Sequence, residues 1–288
     1  MQAGGRWYRP VAGTRWRAVA LAGVLAAAFA AAGCSHSVVG TKDAYEPDEP
    51  AGNLYNRGLG YMNAGKYKDA IKEFNELDRQ HPYSESARKA LILAAYTSFQ
   101  RGMYPETIAT ANRYLTLYPG SPDAAYAQYL LGRSYFAQIP DVTRDQAKTQ
   151  QAMQAMQDLI DHYPDSEYVD DAQKKILITR DQLAGKEMQV GRYYLERREY
   201  TAAINRFRTV VTDYQSTRHV EEALERLVEA NLSLGLINEA QTAAAVLGHN
   251  YPDSRWYKDA YNLLRRKGAA PLDNGGVVSE AFKNKKTG

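Results

Sequence analysis

The stretch GLGYMNAGKYKDAIKEF, residues 58–74, decides the fold. Its first half places Gly58 three residues before Tyr61, and its second half places Ala70 four residues before Phe74. Residues three or four apart lie on the same side of an α-helix, so each half has one small and one large side chain on one face. The stretch therefore predicts two helices that pack closely across a tight turn.

The same pattern recurs along the chain, and each copy ends at a turn marker. The markers are His81-Pro82, Tyr118-Pro119, Tyr163-Pro164, Tyr214-Gln215 and Tyr251-Pro252, whose second members are 37, 45, 51 and 37 residues apart. Proline cannot continue a helix, and no segment alternates with the two-residue period of a strand. A helix–turn–helix unit of this length resembles the tetratricopeptide repeat. We therefore predict an all-α fold, a right-handed α-solenoid of five tetratricopeptide repeats over residues 53–267.

Two units exceed the 37-residue period, by 8 and by 14 residues. The first excess lies within residues 138–149, where Pro140 and a polar stretch predict an exposed loop. The second lies between Ser166 and Arg198, a run without proline. Fourteen residues make nearly four helical turns at about 3.6 residues per turn, so the apolar stripe keeps its phase. This run predicts one long helix.

The N-terminal segment is typical of an export signal. Its four arginines, Arg6, Arg9, Arg15 and Arg17, precede an apolar stretch over residues 18–32 and then Gly33-Cys34. The stretch is shorter than the roughly 20 apolar residues that cross a membrane. Residues 31–34 resemble a bacterial lipobox, which implies a signal peptide over residues 1–33 and N-acyl and S-diacylglycerol lipid on Cys34. A plain secreted protein is the alternative.

Two further segments are predicted to lie outside the folded body. Residues 34–52 are rich in acids, proline and glycine, and such a composition cannot bury enough surface to offset chain entropy. We expect a lipidated tether there. Residues 268–288 have two adjacent glycines and three lysines among the last six positions, which is typical of a disordered basic tail.

The charge of the chain argues against nucleic acid as a partner. The chain has 36 Lys plus Arg and 33 Asp plus Glu, a formal net charge of +3. Four arginines and no acids lie in residues 1–33, so the remainder carries 3 − 4 = −1. A nearly neutral body lacks the basic stripe of a nucleic-acid-binding domain.

The sequence also lacks the common motifs of catalysis and metal binding. The single cysteine excludes an intramolecular disulfide framework and a thiolate zinc cluster. No two of the five histidines lie three or four residues apart, and the chain contains no P-loop and no G-x-S-x-G. We therefore expect no enzymatic activity, no metal and no cofactor other than the lipid.

Several local sequences together resemble the BamD family of outer-membrane β-barrel assembly lipoproteins. They are the cysteine of the lipobox, the first repeat, the loop residues Arg144, Asp145 and Gln146, the run Tyr193-Tyr194-Leu195-Glu196-Arg197, and Asn205-Arg206. The resemblance extends from about residue 34 to 267. It implies a non-catalytic scaffold, attached by lipid to the outer membrane and facing the periplasm. The implied partners are the POTRA region of the barrel insertase BamA, other assembly lipoproteins and unfolded barrel proteins.

The resemblance also implies roles for particular residues. Asn53, Leu54 and Tyr55 would border a pocket for barrel substrates. The partner interface would include Tyr193, Tyr194, Glu196, Arg197 and Arg206, with Arg206 pairing with a carboxylate. An alternative is a periplasmic tetratricopeptide-repeat protein of the CpoB type, which coordinates envelope constriction or peptidoglycan synthesis. Such proteins place a coiled coil before the repeats, whereas residues 35–52 show no heptads.

Overall fold

The computed structural model describes residues 48–270, and every regular element within that range is an α-helix. The eleven helices there are α1 (Ala51–Asn63), α2 (Tyr67–Gln80), α3 (Glu85–Gln100), α4 (Tyr104–Leu117), α5 (Ala124–Phe136), α6 (Ala147–His162), α7 (Val169–Glu196), α8 (Tyr200–Asp213), α9 (Val220–Ser233), α10 (Ile237–Asn250) and α11 (Arg255–Arg266). Consecutive helices pack against each other, which gives five helical hairpins from α1 to α10. The eleventh helix packs against α9 and α10 and closes the last hairpin. The prediction of five helix–turn–helix repeats is confirmed.

A glycine on the first helix of a hairpin allows that helix to approach the second helix closely. A Cβ atom added at Gly58 would lie 2.5 Å from Cε1 of Phe74, and one added at Gly191 would lie 2.5 Å from Cε1 of Phe207. Both phenylalanines are buried in the core. The glycine and the aromatic ring therefore act as a pair, as residues 58–74 predict.

The turn inside four of the five hairpins has one residue with a left-handed backbone, whereas the longer α5–α6 loop has none. Gly65 has φ +70°, and Gly102 and Gly235 have similar values in their own repeats. In the fourth repeat the equivalent residue is Arg198, at φ 61°. Only glycine adopts this region without a steric penalty, so Arg198 carries backbone strain that the other turns avoid.

The two departures from the repeat period pack against each other. The first is the loop over residues 137–146, and the second is the 28-residue helix α7; both predictions are confirmed. Gln182 of α7 donates a hydrogen bond from Nε2 to the carbonyl oxygen of Pro140 at 3.0 Å. Lys186 donates from Nζ to the carbonyl oxygen of Thr143 at 2.9 Å. The added length of α7 therefore supports the inserted loop.

The predicted tether over residues 34–52 extends too far into the folded body. Glu49 already belongs to that body, because its backbone N–H donates to Oε1 of Gln80 at 2.8 Å and its carbonyl oxygen accepts from Nε2 of His81 at 2.6 Å. Its carboxylate also pairs with Arg57 at 2.8 Å. The sequence could not reveal these contacts, since their partners lie up to 32 residues away.

Several predicted segments lie outside the described residues. These are the signal peptide over residues 1–33, the lipidated Cys34, the tether up to residue 47, and the tail from residue 271 onward. They remain predictions. Within residues 48–270, none of the helices is both long and apolar enough to cross a membrane. The same range contains no group of three or more His, Cys, Asp or Glu side chains able to hold a metal ion.

Candidate functional site

Side chains on the first helices of the second, third and fourth repeats together form one surface. On α5, Tyr126, Tyr129, Arg133 and Phe136 follow i, i+3, i+7 and i+10, a spacing that places them on one side of the helix. We call the following set the aromatic face: Tyr96 and Phe99 of α3, Tyr126, Tyr129, Arg133 and Phe136 of α5, Tyr168 at the N-cap of α7, and Asp171 and Lys175 within α7. All nine side chains are half-buried, so each contributes surface to the exterior while being held by its neighbours.

Tyrosine rings connect the three helices across the aromatic face. The ring centres of Tyr96 and Tyr126 are 6.5 Å apart, and those of Tyr126 and Tyr168 are 5.5 Å apart. Tyr129 and Tyr168 are stacked, with centres 4.6 Å apart. A tyrosine hydroxyl is already neutral at physiological pH, and burial raises the pKa of Tyr126 further, to about 12. The face therefore presents uncharged rings held at fixed separations.

Three charged side chains lie among these rings. The Tyr129 hydroxyl donates to the Asp171 carboxylate at 2.6 Å, and Lys175 Nζ lies 2.8 Å from the same carboxylate. Burial opposes ionisation of Asp171, but the hydrogen bonds from Lys175 and Tyr129 outweigh it and lower its pKa. The guanidinium carbon of Arg133 lies 4.7 Å from the centre of the Phe99 ring. The aromatic face is thus mixed, with two cations and one anion.

A pocket of about 400 Å³ opens where α5 and α7 begin. It is lined by Pro122, Asp123, Ala125, Tyr126, Ser166, Glu167 and Tyr168. Two of these, Tyr126 and Tyr168, belong to the aromatic face, so the pocket continues that face. Rigid aromatic side chains offer large apolar contact area at little cost in rotamer entropy, which suits the binding of a peptide.

The three residues predicted to contact substrate in the first repeat differ in exposure. Asn53 is exposed and Tyr55 is half-buried, with its ring centre 6.4 Å from that of Phe74. Leu54 is 1% exposed and belongs to the core of the first repeat, so it cannot border a pocket directly. Tyr55 precedes Tyr129 by 74 residues, or two periods of 37, and therefore occupies the equivalent position on its own helix.

The loop residues Arg144, Asp145 and Gln146 have three separate environments. Arg144 is exposed, and Asp145 accepts a hydrogen bond from the backbone N–H of Ala147 at 2.9 Å. Gln146 is 7% exposed, and its Nε2 donates to the carbonyl oxygens of Asp141 and Arg144 at 3.0 and 3.1 Å. Gln146 therefore holds the loop together from inside.

The end of α7 exposes part of the predicted partner interface. Tyr193 is 53% exposed, whereas Tyr194 packs against the core of the C-terminal repeats, as expected for adjacent residues on one helix. The guanidinium of Arg197 lies 5.2 Å from the centre of the Tyr193 ring. Glu196 is also exposed. The structure thus leaves Tyr193, Glu196 and Arg197 accessible.

Arg206 is exposed on α8 and already has a partner within the chain. Its Nη1 donates to Oε2 of Glu187 on α7 at 3.1 Å. An exposed ion pair of this kind contributes only about 0–1 kcal/mol to stability. Arg206 could therefore exchange Glu187 for another carboxylate at small cost.

Two groups of residues in the structure were not predicted from the sequence. The first is the aromatic face between α3 and α7, although its spacing of i, i+3, i+7 and i+10 is visible in the sequence. The second is a buried ionic cluster on α9, where Glu225 is 4% exposed and Arg226 pairs with Glu229 at 2.6 Å. The run of acids from Glu221 does not distinguish the buried carboxylate from exposed ones, so little in the sequence could have revealed this cluster.

The fold and this face place the chain among helical-repeat proteins of the tetratricopeptide type. The model of the YfiO family, described as an outer membrane lipoprotein, matches residues 47–247. The chain belongs to this family of outer-membrane assembly factors, whose curated relatives are named BamD.

Two relatives illustrate the similarity. The outer membrane protein assembly factor BamD of Caulobacter vibrioides is 46% identical over 254 residues, covering 88% of this chain and 83% of that protein. The BamD of Rickettsia prowazekii is 42% identical over 224 residues, covering 78% of this chain and 89% of that protein. Among solved structures, the TPR2AB domain of yeast Sti1 is similar over 75% of this chain and 84% of that one, at 14% identity and a TM-score of 0.39.

Proposed function

We propose that this chain is a non-catalytic scaffold that receives unfolded outer-membrane barrel proteins on its aromatic face. The observation that carries the proposal is the continuous row of half-buried rings across α3, α5 and α7. Membership of a family of outer-membrane assembly factors supports the identity of the ligand. The row of rings supplies the apolar contacts, and the polar atoms around it fix the direction of the bound segment.

An unfolded barrel segment fits this face in an extended conformation. The ring centres of Tyr96 and Tyr126 are 6.5 Å apart and those of Tyr126 and Tyr168 are 5.5 Å apart, and an extended chain advances about 3.3 Å per residue, so roughly every second residue meets a new ring. Apolar and aromatic side chains of the segment would pack on Tyr96, Tyr126 and Tyr168 in turn. Tyr55 would extend the same contact to the first repeat.

The C-terminal half is proposed to bind the POTRA region of BamA. Tyr193, Glu196 and Arg197 at the end of α7 provide an exposed aromatic ring flanked by charges. Arg206 would exchange its pair with Glu187 for a carboxylate of the partner, because its planar fork binds carboxylates bidentately. Other assembly lipoproteins are further proposed partners.

The proposed location is the periplasmic side of the outer membrane, with acyl chains on Cys34 as the anchor. One acyl chain binds a membrane only marginally, whereas several chains anchor firmly. The covalent lipid is the only cofactor that we propose.

Site-specific photocrosslinking tests the substrate proposal. A photoreactive amino acid at Tyr126 is expected to capture unfolded barrel proteins. The matched control is Tyr83, which is 96% exposed and lies outside the aromatic face. Capture at Tyr126 and not at Tyr83 supports the proposal. Equal capture at both positions, or none at Tyr126, contradicts it.

A further inference from the structure

Arg133 differs from the other half-buried arginines of residues 48–270. There are three others, Arg88, Arg192 and Arg226, and each forms an ion pair with a carboxylate of this chain, at N–O distances of 3.5, 2.7 and 2.6 Å. Arg133 forms no ion pair within the described residues. Its guanidinium carbon instead lies 4.7 Å from the ring centre of Phe99 and 5.6 Å from that of Tyr129.

Aromatic rings satisfy a guanidinium only in part. The faces of the rings attract the positive charge, but they do not replace the acceptors that its five planar N–H donors require. An arginine remains charged in proteins, so Arg133 keeps its positive charge, and its half-buried N–H donors stay available to an acceptor that approaches from solvent. The two rings also restrict its motion, which lowers the entropy cost when a ligand engages the fork.

The neighbouring carboxylate of Asp171 does not serve as an ion-pair partner for Arg133. Asp171 accepts from the Tyr129 hydroxyl at 2.6 Å and pairs with Lys175 at 2.8 Å, so its oxygens are already engaged. The formal charge of Arg133, Lys175 and Asp171 together is 2 − 1 = +1. The centre of the aromatic face is therefore complementary to an anion.

We propose that Arg133 binds an aspartate or glutamate side chain of an extended peptide that crosses the aromatic face. This inference rests on the proposed function, because the peptide is a segment of the protein that the face receives. The carboxylate accepts two N–H bonds from the fork of Arg133. An apolar or aromatic residue of the same peptide packs on Phe99 or Tyr129.

The position of Arg133 favours a side-chain carboxylate over the carboxylate at the end of a chain. Phe99 of α3 lies on one side of Arg133 and Lys175 of α7 belongs to the next first helix, so Arg133 sits in the middle of the face. A segment that contacts all three helices passes Arg133 with an internal residue. Its terminus would lie beyond one edge of the face.

A peptide-binding experiment on the full chain tests this assignment. The probes are two synthetic peptides of about ten residues, long enough to span three helices when extended. Both alternate aromatic and polar residues and are acetylated and amidated; one carries a central Glu and the other a central Gln. The protein variants are Arg133→Gln, Arg133→Lys and the control Arg101→Gln, an exposed arginine at the end of α3.

Wild type is expected to bind the Glu peptide roughly 10-fold more tightly than the Gln peptide, as for a charged hydrogen-bonded pair. Arg133→Gln should abolish that difference, Arg133→Lys should keep part of it, and Arg101→Gln should leave it unchanged. Equal binding of the two peptides by wild type overturns the proposal, as does a preference that survives in Arg133→Gln. The peptide pair compares ligands on one folded protein, so a variant that fails to fold does not decide the result.

The two proposals fail in different ways. If wild type does not discriminate between the peptides while Tyr126 still captures barrel proteins, the role of Arg133 is wrong and the proposed function stands. If a peptide with a free terminal carboxylate binds more tightly than either amidated peptide, the commitment to a side-chain carboxylate is wrong. If neither peptide binds and Tyr126 captures nothing, both proposals fall.

Discussion

At the residue scale, two glycines of α1 allow the effect of close packing on stability to be measured apart from the effect of helix propensity. Gly58 and Gly60 lie in the same helix, but only the first faces a neighbour. A Cβ at Gly58 would lie 2.5 Å from Phe74, whose side chain is 1% exposed and cannot move aside easily. A Cβ at Gly60 would meet nothing within 4 Å.

Substitution of these glycines by alanine should have opposite effects on stability. Gly58→Ala adds a clash that costs about 1–3 kcal/mol and offsets a helix-propensity gain of about 1 kcal/mol, for a net loss of roughly 1 kcal/mol. Gly60→Ala adds no clash and has only the helix-propensity gain in stability, about 0.5–1 kcal/mol. Denaturant unfolding of both variants measures these changes. A Gly58→Ala variant as stable as Gly60→Ala would show that the close approach is not required.

Glu225 makes the stability of the folded chain depend on pH. Its side chain is 4% exposed, and burial raises its pKa to about 7 although Arg226 beside it favours ionisation. Between the ordinary value of 4.5 and about 7, the folded chain keeps a proton that the unfolded chain has lost. The contribution of this carboxyl therefore lowers stability progressively as pH rises through that window.

Glu225→Gln should remove this dependence. The difference in melting temperature, variant minus wild type, is expected to rise between pH 4.5 and about 7 and then to level off. Glu239→Gln, at an exposed position on α10, is the control and should show little change over the same window. Thermal unfolding followed by circular dichroism provides the measurement. A difference that is constant with pH would mean that Glu225 ionises normally.

At the element scale, the inserted loop and the long helix α7 form one structural unit. The loop over residues 137–146 lacks regular structure and depends on contacts from Gln182 and Lys186 of α7. Gln146 adds internal bonds to two loop carbonyls and accepts a third from the Thr149 hydroxyl at 2.7 Å. The loop therefore has an ordered interior.

Gln146→Ala should loosen this loop without unfolding the repeats. Loss of the amide leaves two carbonyl oxygens and a hydroxyl without a buried partner, at a cost of about 1–3 kcal/mol. Hydrogen exchange is expected to rise over residues 137–146. Gln150→Ala, an exposed position on α6, should not change exchange there. Unchanged exchange in both variants would show that the bonds of Gln146 do not hold the loop.

The sequence was most informative where one residue type has one structural consequence. Helix-ending prolines and the Gly58–Phe74 spacing predicted the hairpins, and the phase of the apolar stripe predicted the length of α7. Contacts between distant residues were not predictable. Glu49 joins the body through His81, and Leu54 faces the core although Asn53 beside it is exposed. Spacing alone does not distinguish a ring in the core from one on the aromatic face.

At the scale of the whole molecule, the two halves of the solenoid differ in their aromatic contacts. Within residues 48–270, the ring contacts that join different repeats lie between α3, α5 and the start of α7. The ring pairs of the later repeats, Tyr193 with Tyr194 and Tyr257 with Tyr261, each stay within one helix, and ion pairs occur in both halves.

The proposed anchoring belongs to the same scale because it depends on Cys34, a single residue that precedes the repeats in the sequence. Cys34→Ala removes the only thiol that can carry the lipid, so the variant should leave the membrane fraction. Cell fractionation with an antibody against the chain measures this. A control substitution at Ser35 should leave the chain membrane-bound. Membrane retention of Cys34→Ala would contradict lipid attachment at that residue.

Affinity purification of the full chain from membranes tests the central claim most directly. Wild type is compared with Arg206→Ala and with Arg208→Ala, an exposed arginine two residues further along α8. We predict that wild type and Arg208→Ala retain a barrel insertase with POTRA domains, and that Arg206→Ala retains less of it. Recovery of a peptidoglycan synthase in place of the insertase would contradict the role in barrel assembly.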